Sequence, residues 1–170
     1  SYGPSVICSK AGSGKTWASH QILHDIAKCV VLKNDFKGLE VPLLIPVQRL
    51  VALVQSKEGF SKLLCSFIRQ LTAHHIGDHS EVTNMLLTAV HLKAVILVID
   101  GVDEAAGLRA AVETFVFNSL VKRGFRTVVT SRPSGIRLPL YQKSFVIMNL
   151  KPLTDEQQRT AVNRQLEGNE

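Results

Sequence analysis

The sequence lacks the features of a membrane protein and of a disulfide-stapled protein. Its longest apolar run, Ala94–Ile99, is far shorter than the roughly 20 residues that a membrane-spanning helix needs. Only three cysteines are present (Cys8, Cys29 and Cys65), and no two of them form a CxxC pair, so neither a disulfide framework nor a zinc cluster is indicated. No signal-peptide pattern opens the chain, which begins at Ser1 rather than Met. We therefore expect a reducing, cytoplasmic setting and interpret the chain as a piece of a longer protein.

The composition is that of a folded domain. Of the 170 residues, 45% are hydrophobic and 20% are charged, which excludes a disordered chain. The length fits one domain with its own core. The net charge of +6 comes from dispersed basic residues and not from a tract. A solvated surface with one phosphate pocket is the expectation, with no membrane span and no specific nucleic-acid partner.

Alternating apolar segments predict an α/β domain. Segments with apolar residues at helical spacing lie between the predicted strands. This alternation predicts a three-layer fold with a mostly parallel sheet. Pro42 and Pro46 cannot donate hydrogen bonds to a sheet, which predicts an edge position for the second strand. A capping box of Thr154 and Gln157 predicts the start of the last helix. The predicted strands are Val6–Cys8, Val41–Val47, Ala94–Ile99, Arg126–Thr130 and Ser144–Met148.

A glycine-rich segment between the first strand and the first helix matches the second half of the pattern G-x-x-x-x-G-K-[ST]. Its glycines let successive backbone N–H groups converge, and the N-terminus of the following helix adds a positive dipole end, so the segment favours an anion. We expect Lys15 to reach the β- and γ-phosphates and the Thr16 hydroxyl to enter a Mg²⁺ shell. The first position of the pattern is Ser9, which costs on the order of 1 kcal/mol if that position needs a positive φ.

Charged residues follow two of the predicted strands. Asp100 ends an apolar strand, where ligands sit in open α/β sheets, and is with Thr16 a candidate Mg²⁺ ligand. Asp103 and Glu104 come three and four residues later, close enough for one of them to orient or deprotonate an attacking water. Arg132 follows the next strand and is interpreted as a charge clamp for the γ-phosphate. Asp103, Glu104 and Arg132 are therefore the candidate catalytic residues.

Three segments, in order along the chain, resemble the Walker A, Walker B and sensor 1 motifs of NACHT domains, the nucleotide-binding modules of the STAND class of P-loop NTPases found in NOD-like receptors. They are SKAGSGKT (Ser9–Thr16), VILVIDGVDEA (Val95–Ala105) and VVTSRP (Val128–Pro133). Gly101 directly after the Mg²⁺ aspartate, with an acidic pair further on, is similar to the NACHT arrangement. Val41–Leu50 and Met148–Gln157 also resemble the family's second strand and its exit from the fifth strand, so the likeness covers nearly the whole chain.

The resemblance implies a P-loop NTPase fold over residues 1–170, with a core at about 5–158 and a five-stranded sheet of order 5-1-4-3-2. It implies binding of ATP or GTP with Mg²⁺, slow hydrolysis, and a nucleotide-controlled switch from closed monomer to assembled oligomer in a cytoplasmic signalling protein. Helical and winged-helix domains of the same longer chain are the further partners it implies. The expected nucleotide-contacting residues are Ser9, Lys10, Ala11, Gly12, Ser13, Gly14, Lys15, Thr16 and Trp17.

Other functions remain open. A nucleotide-binding scaffold without turnover differs from the switch only in hydrolysis. A small-molecule kinase needs an acceptor pocket and a lid, and no arginine-rich lid follows the fourth strand. A Ras-type GTPase needs an Asn-Lys-x-Asp element, whose spacing Asn34 and Asp35 lack. The histidine pair His20 and His24 has no evident third zinc ligand and is interpreted as surface histidines.

Overall fold

Five short strands lie side by side, and every neighbouring pair is parallel. The computed structural model describes residues 3–33, 40–55, 60–75 and 80–167. Across the sheet the order is β2-β3-β4-β1-β5, which confirms the expected order 5-1-4-3-2 read from the other edge. The strands are β1 (Ser5–Cys8), β2 (Val41–Pro46), β3 (Val95–Asp100), β4 (Arg126–Ser131) and β5 (Val146–Asn149).

Helices and helical turns connect the strands. Among the residues that the structure describes, no helix is both long and apolar enough to cross a bilayer. Turns of 3-10 helix span Val102–Leu108 and Pro133–Gly135, and a π-helical segment, Val116–Val121, extends the fifth helix. The α-helices are α1 (Lys15–Lys33), α2 (Val47–Gln55), α3 (Phe60–His75), α4 (Ser80–His91), α5 (Arg109–Phe115), α6 (Leu138–Tyr141) and α7 (Asp155–Glu167).

The centre of the core is β3. Val95, Leu97, Val98 and Ile99 are fully buried, as the continuous β-branched run predicts for a parallel strand covered on both faces. Ile96 is half-buried, and the strand ends at Asp100, which is also half-buried.

The position of β2 at one edge of the sheet agrees with its two prolines. β2 pairs only with β3, which confirms its edge position, and it ends at Pro46, one residue before the predicted end. Val47 instead begins α2, a helix that the sequence pattern did not predict. Val47 and Leu50 are buried three residues apart, so α2 packs one face on the core as soon as the strand ends.

Two helix ends are determined by local chemistry. Gly124 follows the π-helical segment Val116–Val121 with φ 82°, and its N–H donates to the carbonyl of Val121 at 2.9 Å. The capping box is confirmed, because Thr154 N donates to Gln157 Oε1 at 3.0 Å and Gln157 N donates to Thr154 Oγ1 at 3.3 Å. Asn34 and Asp35 lie outside the described residues.

Candidate nucleotide-binding site

The glycine-rich loop (Ser9–Thr16) follows β1 and runs into α1. Gly12 and Gly14 have φ values of 71° and 80°, a left-handed conformation that any other residue adopts only with strain. The carbonyl of Lys10 closes the turn, accepting hydrogen bonds from Ser13 Oγ at 2.8 Å and Ser13 N at 3.4 Å. Lys15 Nζ also donates to this carbonyl at 3.5 Å, so the lysine side chain lies across the loop.

Ser9 occupies the first pattern position without a positive φ. The expected penalty for replacing glycine therefore does not arise in this loop. Ser9 is buried, and its N–H donates to the carbonyl of Ser131 at 3.2 Å, which ties the start of the loop to the end of β4.

Asp100 is held at the end of β3 by two hydroxyl groups. Its Oδ1 accepts hydrogen bonds from Ser19 Oγ at 2.9 Å and Thr130 Oγ1 at 2.5 Å. Thr130 Oγ1 in turn accepts from Gly101 N at 3.0 Å. Both hydroxyl groups belong to fully buried residues. Within the described ranges, no hydrogen bond reaches Oδ2 of Asp100.

Sequence reasoning missed Ser19 and Thr130, although both follow simple spacing rules. Ser19 lies four residues after Lys15, on the same face of α1 one turn later. The register pairs Ile99 with Val129, which places the following residues, Asp100 and Thr130, side by side at the carboxyl ends of β3 and β4. Helix α1, which follows the glycine-rich loop, and strand β3 are thus joined through the Asp100 carboxylate.

Asp103 and Arg132, two of the predicted catalytic residues, contact each other. Arg132 N donates to Asp103 Oδ1 at 3.0 Å, and Arg132 Nε lies 2.8 Å from Asp103 Oδ2. The Asp103 side chain is only 8% exposed, whereas that of Arg132 is 51% exposed. Both carboxylate oxygens of Asp103 are therefore engaged by the segment that follows β4.

Glu104, by contrast, is exposed and carries its carboxylate next to the end of β2. Its Oε2 accepts a hydrogen bond from Nε2 of Gln48, the second residue of α2. A Cβ on Gly101 would lie 3.2 Å from the carboxyl carbon of Glu104, and the φ of Gly101 is 78°. Glycine after Asp100 therefore serves both the turn and the space that Glu104 needs. Gln48 was not predicted, because α2 itself was not.

Positive charge from the loop extends to the end of β1. Burial raises the pKa of the Cys8 thiol, and the nearby Lys15 ammonium partly opposes this rise. Cys8 is 2% exposed, so it packs in the core as a neutral thiol.

Comparison with known families agrees with this geometry. Residues 4–169 match the family model of the NACHT domain. The chain belongs to the NACHT domain family. No match is found for this NACHT domain among curated proteins.

Solved structures of low sequence identity share the fold. Domain III of the Thermotoga maritima replication initiation protein DnaA is similar with a TM-score of 0.55 and 21% identity, over 98% of this NACHT domain and 62% of that chain. PCH-2 of C. elegans is similar with a TM-score of 0.50 and 15% identity, over 96% of this domain and 39% of that chain. The domain thus spans less than two thirds of either chain, and the likeness establishes a P-loop NTPase fold.

The family and the fold support nucleotide binding by this NACHT domain. Most of the predicted loop residues are exposed, including Lys10, Thr16 and Trp17, the last at 62%. Among the described residues, no group of three His, Cys, Asp or Glu side chains could hold a metal. Mg²⁺ at phosphate sites needs only one or two protein groups beside water and phosphate oxygens. Thr16 and Oδ2 of Asp100 fit such a partial set.

Proposed function

We propose that this NACHT domain binds ATP with Mg²⁺ at the glycine-rich loop, hydrolyses it slowly, and uses the bound nucleotide to control self-association within a longer signalling protein. Helical and winged-helix domains of the same polypeptide complete the switch in this proposal. A cytoplasmic setting belongs to it, and the three free cysteines support a reducing environment.

The junction at Asp100 carries the proposal. The hydroxyl groups of Ser19 on α1 and Thr130 on β4 both contact the same carboxylate oxygen, so α1, β3 and β4 meet at Asp100. A carboxylate beside an anion cradle repels phosphate unless a cation lies between them. Mg²⁺ bound by Thr16 and Asp100 would neutralise phosphate charge and fit this geometry.

The loop residues bind the phosphates in this proposal. The N–H groups of the left-handed turn at Gly12 and Gly14 and the start of α1 supply an anion cradle. Lys15 exchanges its weak contact with the Lys10 carbonyl, at 3.5 Å, for a phosphate oxygen.

Hydrolysis is assigned to Glu104. Its exposed carboxylate can accept a proton from water or orient it, with Gln48 holding one of its oxygens. Asp103 is a poorer candidate for the same role, because Arg132 already engages both of its oxygens. Arg132 is the proposed contact for the γ-phosphate, since its half-exposed guanidinium keeps donors beyond the one used by Asp103.

A scaffold that binds nucleotide without turnover is the second candidate. The ion pair between Asp103 and Arg132 favours it, because it occupies two of the three predicted catalytic groups before any ligand binds. Measured turnover separates the two functions.

Calorimetric titration with ATP and with GTP, with and without Mg²⁺, tests the proposal. We expect saturable, Mg²⁺-dependent binding that Lys15→Ala weakens by at least about tenfold, since a hydrogen bond between charged groups contributes roughly 1.5–3 kcal/mol. Lys28→Ala is the matched control, because it removes one positive charge from the same helix about 20 Å further along.

Both this chain and a longer polypeptide that extends past Glu170 are titrated, and phosphate release is followed in parallel. Absence of binding in both would refute nucleotide control of any kind. Binding without phosphate release would leave the scaffold function. Preference for GTP would correct the choice of base and leave the site assignment intact.

A further inference from the structure

Gly135 belongs to the post-β4 loop (Arg132–Arg137) and packs against the turn that carries Asp103 without room for a side chain. A Cβ on Gly135 would lie 2.2 Å from Asp103 Cβ and 2.8 Å from Asp103 Cα. Carbon atoms in contact lie roughly 3.5–4.0 Å apart, so one added methyl group would displace the loop by more than about 1 Å. The φ of Gly135 is not in the left-handed region. Contact with Asp103, and with Ser131 Oγ at 2.9 Å, therefore requires glycine here, whereas backbone conformation does not.

The far end of the same loop is anchored to α5. Glu113, which is fully buried, accepts hydrogen bonds from Arg137 N at 2.8 Å and from Arg137 Nε at 2.6 Å. Arg109 Nη1 donates to the carbonyl of Ser134 at 3.2 Å. The loop is thus fixed at its end and near its middle, so its position against Asp103 is a single packed arrangement.

Arg132 depends on that arrangement. Its backbone N–H and its Nε both contact Asp103, at 3.0 and 2.8 Å, and both contacts require the loop to lie close to the Asp103 turn. A shift of more than about 1 Å lengthens both beyond the range of good hydrogen bonds. The guanidinium would then lose the contact that fixes it beside Asp103.

We propose that Gly135 is a positioning residue that holds Arg132 toward the γ-phosphate and thereby sets the preference of this domain for ATP over ADP. The inference rests on the proposed function, because it takes Arg132 as the γ-phosphate contact. Glu113 supports the same arrangement from the other end of the loop.

Affinities for ATP and ADP, each with Mg²⁺, are measured for the unmodified chain, Gly135→Ala, Arg132→Ala and the double variant. We expect Gly135→Ala to weaken ATP binding about tenfold, the loss of one charge-assisted hydrogen bond, and ADP binding less than about twofold. Gly107→Ala is the matched control, because a Cβ there meets nothing within 4 Å and its φ is not in the left-handed region. It should change neither affinity.

The double variant separates positioning from general damage. If Gly135 acts through Arg132, Gly135→Ala adds no further loss of ATP affinity in the Arg132→Ala background. Equal losses for ATP and ADP, or a full additional loss in that background, would overturn the inference and leave nucleotide binding in place. Absence of all binding by the unmodified chain and by the longer polypeptide would overturn the proposed function, and this inference with it.

Glu113→Gln serves if Gly135→Ala does not fold. It keeps an acceptor for Arg137 N but weakens the anchor, and we expect a selective loss of ATP affinity of about threefold. Removal of a negative charge would by itself strengthen ATP binding. A selective loss therefore supports loop positioning, whereas unchanged or tighter ATP binding would contradict it.

Discussion

Thr130→Val tests the junction that joins the two halves of the site. The Thr130 hydroxyl donates to Asp100 Oδ1 and accepts from Gly101 N, and the side chain is fully buried. Valine keeps the β-branched shape but has no hydroxyl. The substitution therefore removes both hydrogen bonds while it leaves the packing of β4 nearly unchanged.

The expected loss of stability follows from the two bonds. An unsatisfied buried N–H at Gly101 costs roughly 1–3 kcal/mol, and the bond to the ionised carboxylate contributes roughly 1.5–3 kcal/mol. Asp100 is half-buried and keeps its bond from Ser19, so the two values do not add fully. We expect a total near 3 kcal/mol, which lowers the melting temperature of a domain of this size by roughly 6–12 °C.

Urea and thermal unfolding measure this loss, with Thr114→Val as control. Thr114 makes a single bond to the carbonyl of Ala110 on the exposed face of α5, so the same replacement there should change stability by less than about 0.5 kcal/mol. Mg²⁺-dependent nucleotide binding should weaken in Thr130→Val but not in Thr114→Val, because only the former removes one of the two hydrogen bonds to Asp100. A Thr130→Val variant as stable as the control would refute the assignment of the junction.

Three further predictions concern the loop, hydrolysis and the core. Gly14→Ala should lose about 1–2 kcal/mol of unfolding free energy from its φ of 80° alone, since a Cβ there meets nothing within 4 Å, and a loss no larger than that of Gly107→Ala would contradict this. Glu104→Gln should slow phosphate release by about 100-fold or more in single-turnover assays while nucleotide affinity is kept, and an equal fall in both would show that Glu104 acts in binding. Tyr141→Phe should be neutral or stabilise by about 1 kcal/mol in urea unfolding, because the buried hydroxyl has no hydrogen-bond partner among the described residues. Burial, and secondarily the Glu113 carboxylate, raise the pKa of Tyr141. As the pH rises, the unfolded chain therefore releases this proton before the folded protein does. The unmodified protein should lose stability relative to Tyr141→Phe as the pH rises above 10. A Tyr141→Phe variant that is less stable at neutral pH would contradict the first statement. A variant that shows no relative gain in stability at alkaline pH would contradict the second.

The sheet could be predicted because each of its strands carries a local pattern. The apolar run before Asp100 predicts the central strand, and Pro42 and Pro46 predict the edge; the structure agrees with both. The helix α2 could not be predicted in the same way. It begins directly after Pro46 with no polar turn between strand and helix, so Val47 looks in sequence like the last residue of the strand.

The partners of the candidate site residues were harder to predict than the residues themselves. Asp100, Glu104 and Arg132 stand at recognisable positions after strands, and a single sequence shows them directly. Thr130 lies in β4, and Gln48 lies at the start of α2, directly after β2. Both β4 and β2 neighbour β3 in space, so these contacts depend on sheet order and register. Their side chains are also ordinary polar residues, which no motif marks.

The two acidic residues after Asp100 illustrate why spacing alone does not assign a role. Asp103 and Glu104 are adjacent in sequence, yet the 3-10 turn sends them to opposite neighbours, Asp103 toward Arg132 after β4 and Glu104 toward Gln48 after β2. Asp103 is enclosed and neutralised by an arginine, so a proton taken from water there would first require that ion pair to break. Glu104 faces solvent and bonds only a neutral amide, which leaves it able to accept a proton. The division of labour we propose, sensing through Asp103 and Arg132 and water activation through Glu104, follows from this difference in neighbours.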